Sequence, residues 1–327
     1  MIVLLRKNLY DLCNFLNSPY TKINSTSKIS DFIYEDILIL LQKKIEFKTI
    51  WNKKNSFVID DFKFYFKYNI LEQNSNLIKL KLSITTSFIM NPSINKINSL
   101  KTDDYIIIAE YSYNKLIKIF ALISKEEDMF IYTFLYNKNL ETLNNIIPLK
   151  LGDLWSPNLT LINNKIQSLS YHSSTRKVKE ISKFNIEAAC NYAEKFALND
   201  NPEYISFEKS GGDCTNFASQ ILHAGGLNKT YTWTPYSNTW LRVEELYSYL
   251  IYNKLAYKIP NDSYLNPGTL IQFKTPKLGR FFHTGFITHK LSNGECLYCC
   301  HSYNKLNYPL KLIYPVLYPE LRGLHFY

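Results

Sequence analysis

Apolar residues recur at helical spacing in two segments near the beginning of the chain. They fall every three or four positions within residues 1–20 and 30–46, which predicts two amphipathic helices. After residue 60 the pattern becomes an alternation, in which Phe62, Phe64 and Phe66 are separated by polar residues, as in a half-buried strand. Further strands are predicted at residues 77–87, 105–113, 115–122 and 129–136.

Helices followed by a run of strands predict an α+β domain with an antiparallel sheet. The order of these elements resembles the cone-shaped fold of nuclear-transport-factor-like domains. Residues 1–175 are predicted to form this domain, and no catalytic constellation stands out within it. The polar, irregular stretch at residues 138–180 is predicted to be a connector.

The pattern changes again near residue 184, so residues 176–327 are predicted to form a second domain. Helical spacing recurs at residues 186–198, in a short segment that follows Gly211-Gly212, and at residues 240–252. Strands are predicted at residues 269–273, 282–289 and 296–303, with Asn293-Gly294 as the turn of a hairpin. Helices first and an antiparallel sheet second is the layout of a papain-like half-barrel.

The segment after Gly211-Gly212 contains the first candidate for chemistry. Asp213 stands where the N-cap of a helix is expected, so Cys214 falls in the first turn. There the helix dipole and the unpaired backbone N–H groups favour a thiolate, and the same N–H groups would hold an oxyanion. Cys214 is therefore a candidate nucleophile, although this stretch alone fits a buried structural cysteine equally well.

A thiolate nucleophile needs a base and a third group that orients the base. His283 begins a predicted strand after a loop, where a helix N-terminus can face it, and we choose it as the base. A hairpin centred on Asn293-Gly294 places Asn304 opposite His283 and on the same face of the sheet. A single bulge would bring His301 to that face instead, so both residues remain candidates for the orienting group.

Charge and cysteine content limit the partners and the compartment. The net charge is +10, with the larger part of the excess before residue 181, which favours anionic partners such as cell-wall polymers. No basic run stands out, so dedicated nucleic-acid binding is disfavoured. The chain begins without a signal-peptide pattern, no apolar run approaches ~18 residues, and the six cysteines show no framework spacing. We expect a protein with no transmembrane segment, either cytoplasmic or associated with the spore or cell wall without a classical signal peptide.

Several motifs of the second half resemble one known family. The block Gly211-Gly212-Asp213-Cys214-Thr215-Asn216-Phe217-Ala218-Ser219-Gln220, then Trp240, then His283-Thr284-Gly285-Phe286-Ile287, then His301-Ser302-Tyr303-Asn304 are similar to the family named "Putative amidase domain". The resemblance covers about residues 184–327. It implies kinship with the NlpC-type and CHAP cysteine peptidases and amidases of bacteria, a papain-like fold, Cys214 as nucleophile and His283 as base. By the spacing in those relatives, His301 is preferred over Asn304 as the orienting residue.

The resemblance also suggests a substrate. It implies hydrolysis of amide bonds through a thioester, with peptidoglycan stem peptides or related peptides as substrate and no cofactor. Three aromatic residues, Trp233, Tyr236 and Trp240, are candidates for lining a substrate groove. A zinc site is suggested by Cys296, Cys299, Cys300 and His301. Neighbouring residues of a strand point to opposite faces, however, so one site cannot take all of them and no metal is predicted. The alternatives are an inactive binding or scaffold protein and an acyltransferase that uses the same acyl-enzyme.

Overall fold

The computed structural model describes residues 3–20, 29–90, 96–113, 115–144, 159–164, 167, 184–208, 211–260, 262–275 and 278–327. The chain divides into two compact units, Met1–Lys96 with Thr102–Tyr171 and Ile97–Lys101 with His172–Tyr327. The predicted domain boundary at residue 175 lies outside the described residues. Among the residues described, no helix combines the length and the apolar character needed to span a bilayer.

The first unit contains helices and long antiparallel strands, as the α+β prediction requires. Its helices are α1 (Val3–Leu16), α2 (Glu35–Lys54), α3 (Met129–Asn137) and α4 (Leu140–Asn144). Its strands are β1 (Ile59–Gln73), β2 (Leu77–Met90), β4 (Lys115–Ser124) and the part of β3 (Ile97–Ser112) that follows residue 101. β1 pairs with β2 and β3 pairs with β4, both antiparallel, and the inner faces of strands and helices share one apolar core.

The prediction of a strand at residues 129–136 is wrong, because this segment forms α3. Its apolar run has no clear period, and a short run of this kind fits a strand or a buried helix equally well. The side chain of Asp128 accepts a hydrogen bond from the Ile131 N–H at 3.1 Å and so caps the helix. Tyr132 and Leu135, three residues apart, are then buried on one helical face.

The second unit places its helices before most of its strands. The helices are α5 (Ile186–Phe196), α6 (Cys214–Ala224), α7 (Asn238–Leu241) and α8 (Val243–Tyr252). The strands are β5 (Ala256–Lys258), β6 (Leu270–Lys274), β7 (Phe281–Lys290), β8 (Cys296–Cys300), β9 (Lys305–Pro309) and β10 (Glu320–Phe326). They pair antiparallel in the order β9-β8-β7-β6-β10-β5, and Leu100 and Lys101 of β3 add to the free edge of β9. The single helix predicted at residues 240–252 is divided in two by the extended backbone of Arg242.

The sheet of the second unit is buried on both faces. Phe286 and Cys299 lie on one face and share a core with Phe217 of α6. Gly285, the neighbour of Phe286 on β7, faces the other way, and a Cβ atom added to it would come 2.8 Å from the ring of Tyr298. The glycine is therefore needed for close packing on the second face. The buried middle residues of β7 thus face either the helices or this second apolar layer.

Candidate functional site

The candidate site is built around the first turn of α6. Gly211 and Gly212 approach it with φ angles of +114° and +113°, a region that side-chain-bearing residues rarely adopt. Asp213 occupies the predicted N-cap position, and Cys214 is the first helical residue. The apolar side of α6, which includes Phe217 and Ile221, is buried in the core of the second unit. Burial of this side fixes the position of the first turn of α6.

The cap of α6 comes from a distant residue. The Asp213 side chain makes no capping hydrogen bond. Instead, the backbone N–H groups of Asp213 and Cys214 both donate to Ser302 Oγ, at 2.7 Å and 3.1 Å. The Cys214 N–H, expected from the sequence to hold an oxyanion, is therefore already bonded to a side chain.

Asp213 uses its carboxylate to join three segments beneath the cysteine. Oδ1 accepts hydrogen bonds from the Phe207 N–H at 2.9 Å and from Asn216 Nδ2 at 2.8 Å. Oδ2 lies 2.7 Å from His301 Nδ1. The carboxylate is buried, and a buried charge is tolerated only when it is paired and hydrogen-bonded in this way.

His301 is fully engaged by neighbours other than His283. Its Nδ1 contacts Asp213, and its Nε2 lies 2.7 Å from the carbonyl oxygen of Phe196 at the end of α5. Because a carboxylate and a carbonyl both accept, each ring nitrogen of His301 faces a hydrogen-bond acceptor. The ring also stacks on Phe217 with centroids 3.8 Å apart. His301 therefore fixes the turn after β8 to α5 and α6.

Two of the three predicted groove residues lie in the core. Trp233 and Trp240 are completely buried. The Trp240 indole N–H donates to Asn216 Oδ1 at 2.8 Å, and the Trp233 indole N–H donates to Ser219 Oγ at 3.4 Å. These two rings therefore belong to the packing around α6 and do not line a surface groove. Tyr236 is partly exposed, and its hydroxyl accepts the Ile205 N–H at 3.0 Å.

The thiol of Cys214 is partly buried and lies against β7. It is 3.7 Å from the hydroxyl of Thr215, and the backbone N–H of Thr284 lies near enough to favour the charged form. Burial nevertheless raises the pKa of the Cys214 thiol above its ordinary value, with smaller lowering contributions from Thr284 and Thr215. The expected stabilisation of a thiolate by the helix N-terminus is therefore outweighed by burial, and the resting group is a neutral thiol.

His283 directly precedes Thr284 on β7 but faces the opposite side of the sheet. The Thr284 hydroxyl lies 3.2 Å from that of Thr215 on α6, so alternation directs His283 away from the helix. Its ring lies among those of Phe273, Tyr303 and Tyr318, with centroid distances of 5.6, 5.1 and 6.0 Å.

The imidazole of His283 is neutral, and one of its nitrogens has no hydrogen-bond partner among the described residues. Burial, with a smaller contribution from the Lys305 cation, lowers the pKa of His283 to about 3. Its Nε2 is buried and has no hydrogen-bond partner among the residues described. A buried nitrogen without a partner is uncommon in native proteins and merits a functional explanation.

The candidates for the orienting group do not contact the base. Phe286 pairs with Cys299 and Ile287 with Tyr298, so the predicted register with Asn304 opposite His283 is wrong. β8 ends at Cys300, and both His301 and Asn304 lie in the turn that follows. Within the described part of the chain, no hydrogen bond joins His283 to either residue.

The cysteine-rich strand does not assemble a ligand set for zinc. Cys296, Cys299 and Cys300 each contact a separate oxygen, those of Leu265, Asn307 and Tyr303. A different group, Asp200, Asp213 and His301, has donor atoms close enough to share a cation. Because Asp213 and His301 hydrogen-bond directly to each other there, their donor atoms are already used.

Comparison with known proteins gives a partial family match. Residues 183–318 match the family model described as "Putative amidase domain". YjcM of Bacillus subtilis (strain 168), described as an uncharacterized protein, is 31% identical over 135 residues, which cover 38% of this chain and 32% of YjcM. YhbB of the same strain, also described as uncharacterized, is 34% identical over 115 residues, 31% of this chain and 36% of YhbB. The chain thus spans about a third of the length of these curated relatives. No solved structure matches.

Proposed function

We propose that residues 183–318, which match an amidase family, form a cysteine-dependent amidase domain with Cys214 as nucleophile and His283 as base. The supporting observation is the position of the Cys214 thiol. It stands at the first residue of α6, near the backbone N–H of Thr284, the residue directly after His283. Cys214 therefore lies close to the backbone of β7 next to His283, with which the family resemblance pairs it, and the His283 ring lies on the other face of the sheet.

The proposed reaction proceeds through a thioester. Cys214 Sγ transfers its proton to Nε2 of His283 and attacks the carbonyl carbon of the amide, which gives a tetrahedral oxyanion. The oxyanion collapses, the C–N bond breaks, and His283 returns the proton to the leaving amine. Water then adds to the thioester and gives a proton to His283. Collapse releases the carboxylic acid, and the proton on His283 returns to the cysteine sulfur.

The protonation states mean that the proton leaves the thiol only during the attack and not before it. The thiol pKa is raised and the imidazole pKa is lowered, so neither group is charged in the resting protein near neutral pH. In the structure the His283 ring faces the other side of the sheet from Cys214, so accepting the proton requires the start of β7 to rearrange and bring the ring to the α6 face. Because its Nε2 has no hydrogen bond to a described residue, this rearrangement breaks none that the structure describes at that atom.

His301 contributes to the proposed site through the turn that it holds. Its contacts with Asp213 and Phe196 fix residues 301–304. Tyr303 in this turn packs against the ring of His283, and Ser302 binds the start of α6. We therefore assign His301 as a positioning residue that acts on both members of the proposed pair indirectly.

The proposed substrates are peptide amides, with peptidoglycan stem peptides preferred on the basis of the family resemblance. The net charge of +10 favours an anionic polymer such as the cell wall. The partly exposed ring of Tyr236 packs 5.9 Å from that of Phe207, whose N–H binds Asp213. This pair of rings is the proposed surface for a substrate side chain beside the thiol.

A second candidate function is binding without turnover. The observation that favours it is the neutral thiol, together with a Cys214 N–H that Ser302 already occupies. A domain with this arrangement would bind the peptide and leave it intact. The amidase predicts that Cys214→Ala loses the cleavage that wild type shows, whereas the binding protein predicts no cleavage by either.

The test compares wild type with Cys214→Ala and with Cys190→Ala, which alters the other partly buried cysteine. Each protein is incubated with purified muropeptides and with plain peptides, and products are separated by liquid chromatography. We expect cleavage by wild type and Cys190→Ala, none by Cys214→Ala, and similar melting temperatures for all three. Equal muropeptide binding by wild type and Cys214→Ala with no cleavage would favour the binding protein and contradict the amidase.

A further inference from the structure

The hydroxyl of Ser302 can make one further hydrogen bond, as a donor. A serine hydroxyl has two acceptor positions and one donor hydrogen. The N–H groups of Asp213 and Cys214, at 2.7 Å and 3.1 Å, fill both acceptor positions. Among the described residues, the hydroxyl proton has no acceptor. The group can therefore act only as a donor toward whatever enters the space beside it.

That space adjoins the proposed nucleophile. The N–H that binds Ser302 and the sulfur that would attack the substrate belong to one residue, Cys214. The carbonyl oxygen of an amide held for attack by this sulfur would lie close to the Ser302 hydroxyl. The Cys214 N–H cannot take that role unless Ser302 leaves, which would break two hydrogen bonds at the start of α6.

Ser302 is held in place by an unusual backbone. Its φ angle is +71°, a conformation that costs a non-glycine residue about 1–3 kcal/mol and is concentrated at functional sites. Its N–H donates to the carboxylate of Glu208. Gly212 provides the room, because a Cβ atom there would approach Ser302 Oγ to 3.0 Å. The hydrogen bond to Glu208 and the close approach of Gly212 hold the Ser302 side chain in one orientation, so its hydroxyl hydrogen points at one place.

We infer that the Ser302 hydroxyl donates the hydrogen bond that stabilises the oxyanion of the tetrahedral intermediate, an inference that rests on the proposed function of Cys214. The two N–H groups polarise the hydroxyl, and a chain of hydrogen bonds strengthens each member. Through the polarised Ser302 hydroxyl, the positive end of the α6 dipole stabilises the developing negative charge. No covalent bond of Ser302 changes during the reaction.

The test measures Ser302→Ala and Ser302→Gly against wild type. Glycine favours a positive φ, so the second variant removes the hydroxyl and relieves the strain if the first folds poorly. With a purified muropeptide as substrate, we expect kcat to fall by about 10²–10³-fold and KM to stay within a few-fold. Alkylation of Cys214 by iodoacetamide forms no oxyanion, and its rate should change little.

A matched control is Ser237→Ala. Ser237 Oγ accepts the Thr234 N–H at 3.3 Å, at the start of α7, so this variant also removes a serine that accepts a backbone N–H. We expect it to lower the melting temperature slightly and leave kcat unchanged. A kcat loss equal to that of Ser302→Ala would show that a lost cap is sufficient, and it would overturn the inference.

The remaining outcomes separate the two proposals. Unchanged or increased kcat in Ser302→Ala and Ser302→Gly would overturn the role of Ser302 and leave the cysteine mechanism standing. The same holds if alkylation falls as far as kcat, since the variants would then have disturbed Cys214 itself. A wild-type protein that shows no turnover dependent on Cys214 would overturn the proposed function and this inference together.

Discussion

The Asp213 carboxylate and the His301 imidazole meet at 2.7 Å in the interior of the second unit. They are 88 residues apart in the chain, and each is almost completely buried. Their contact joins the turn after β8 to the start of α6. The position of Cys214 therefore depends on the same turn that provides Ser302 and Tyr303.

Replacing Asp213 tests how much this contact stabilises the fold. Asp213→Ala leaves the donors of Phe207, Asn216 and His301 without their acceptor, which should cost about 3–5 kcal/mol in the free energy of unfolding. Asp213→Asn should cost much less, because its oxygen can keep the first two donors. Its amide can then donate to His301 Nδ1 in the neutral tautomer. Urea denaturation measures both, and equal losses would contradict the assigned hydrogen bonds.

The protonation state of Cys214 can be measured through its reactivity. Because burial raises the pKa of the thiol, we expect its iodoacetamide alkylation rate to increase with pH up to pH 9 without a plateau. Mass spectrometry identifies the alkylated cysteine, and Cys214→Ala gives the background from the other thiols. A rate that is already constant between pH 5 and 8 would indicate a resting thiolate–imidazolium pair and contradict the neutral site.

His283 should make stability depend on pH. Its pKa is about 3 in the folded protein and 6.5 in an ordinary environment, so below pH 6.5 the unfolded chain binds a proton that the native protein does not. Stability contributed by the neutral ring is complete above pH 6.5 and falls as the pH decreases. Each unit is worth about 1.4 kcal/mol, so the loss by pH 5 is about 2 kcal/mol.

The comparison uses His283→Gln, which does not titrate in this range. The difference in unfolding free energy between wild type and the variant, taken at pH 7.5 and at pH 5, cancels the contributions of all other groups. We expect wild type to lose about 2 kcal/mol relative to the variant over this interval. Parallel pH curves for the two proteins would show that His283 is not held neutral by burial.

The two buried tryptophans provide a matched pair of variants. Trp240→Phe deprives the buried oxygen of Asn216 of the indole donor at 2.8 Å, which should cost about 1–3 kcal/mol beyond the loss of ring volume. Trp233→Phe removes the same volume but only a 3.4 Å hydrogen bond to Ser219. Thermal or urea unfolding of both should therefore show the larger loss for Trp240→Phe. Equal losses would mean that ring volume alone decides.

The sequence pattern predicted most of the fold because helices and strands with one buried face have distinct periods. It failed where that signal is weak or absent. The apolar run at residues 129–136 has no period, and its capping residue Asp128 is a local feature that decides the outcome. The end of β8 at Cys300 depends on a turn with a positive φ at Ser302, a residue type that does not indicate one.

The candidate site was predictable only in part, for a related reason. Cys214 at the start of a helix and His283 near the start of a strand follow from local patterns, and the structure places both there. The face toward which His283 points is set by the packing of Thr284 against Thr215, a tertiary contact. The cap from Ser302 spans 88 residues, and no local signal announces it.

The polar residues of the block around Cys214 hold segments of the fold together. Asp213, Asn216 and Ser219 are all buried and bonded to other segments, and Trp240 and His301 complete the same scaffold. In the proposed mechanism none of these side chains attacks the substrate. A chain in which alanine replaced Cys214 would keep these hydrogen bonds, so in the proposed mechanism a single side chain decides between turnover and peptide binding alone.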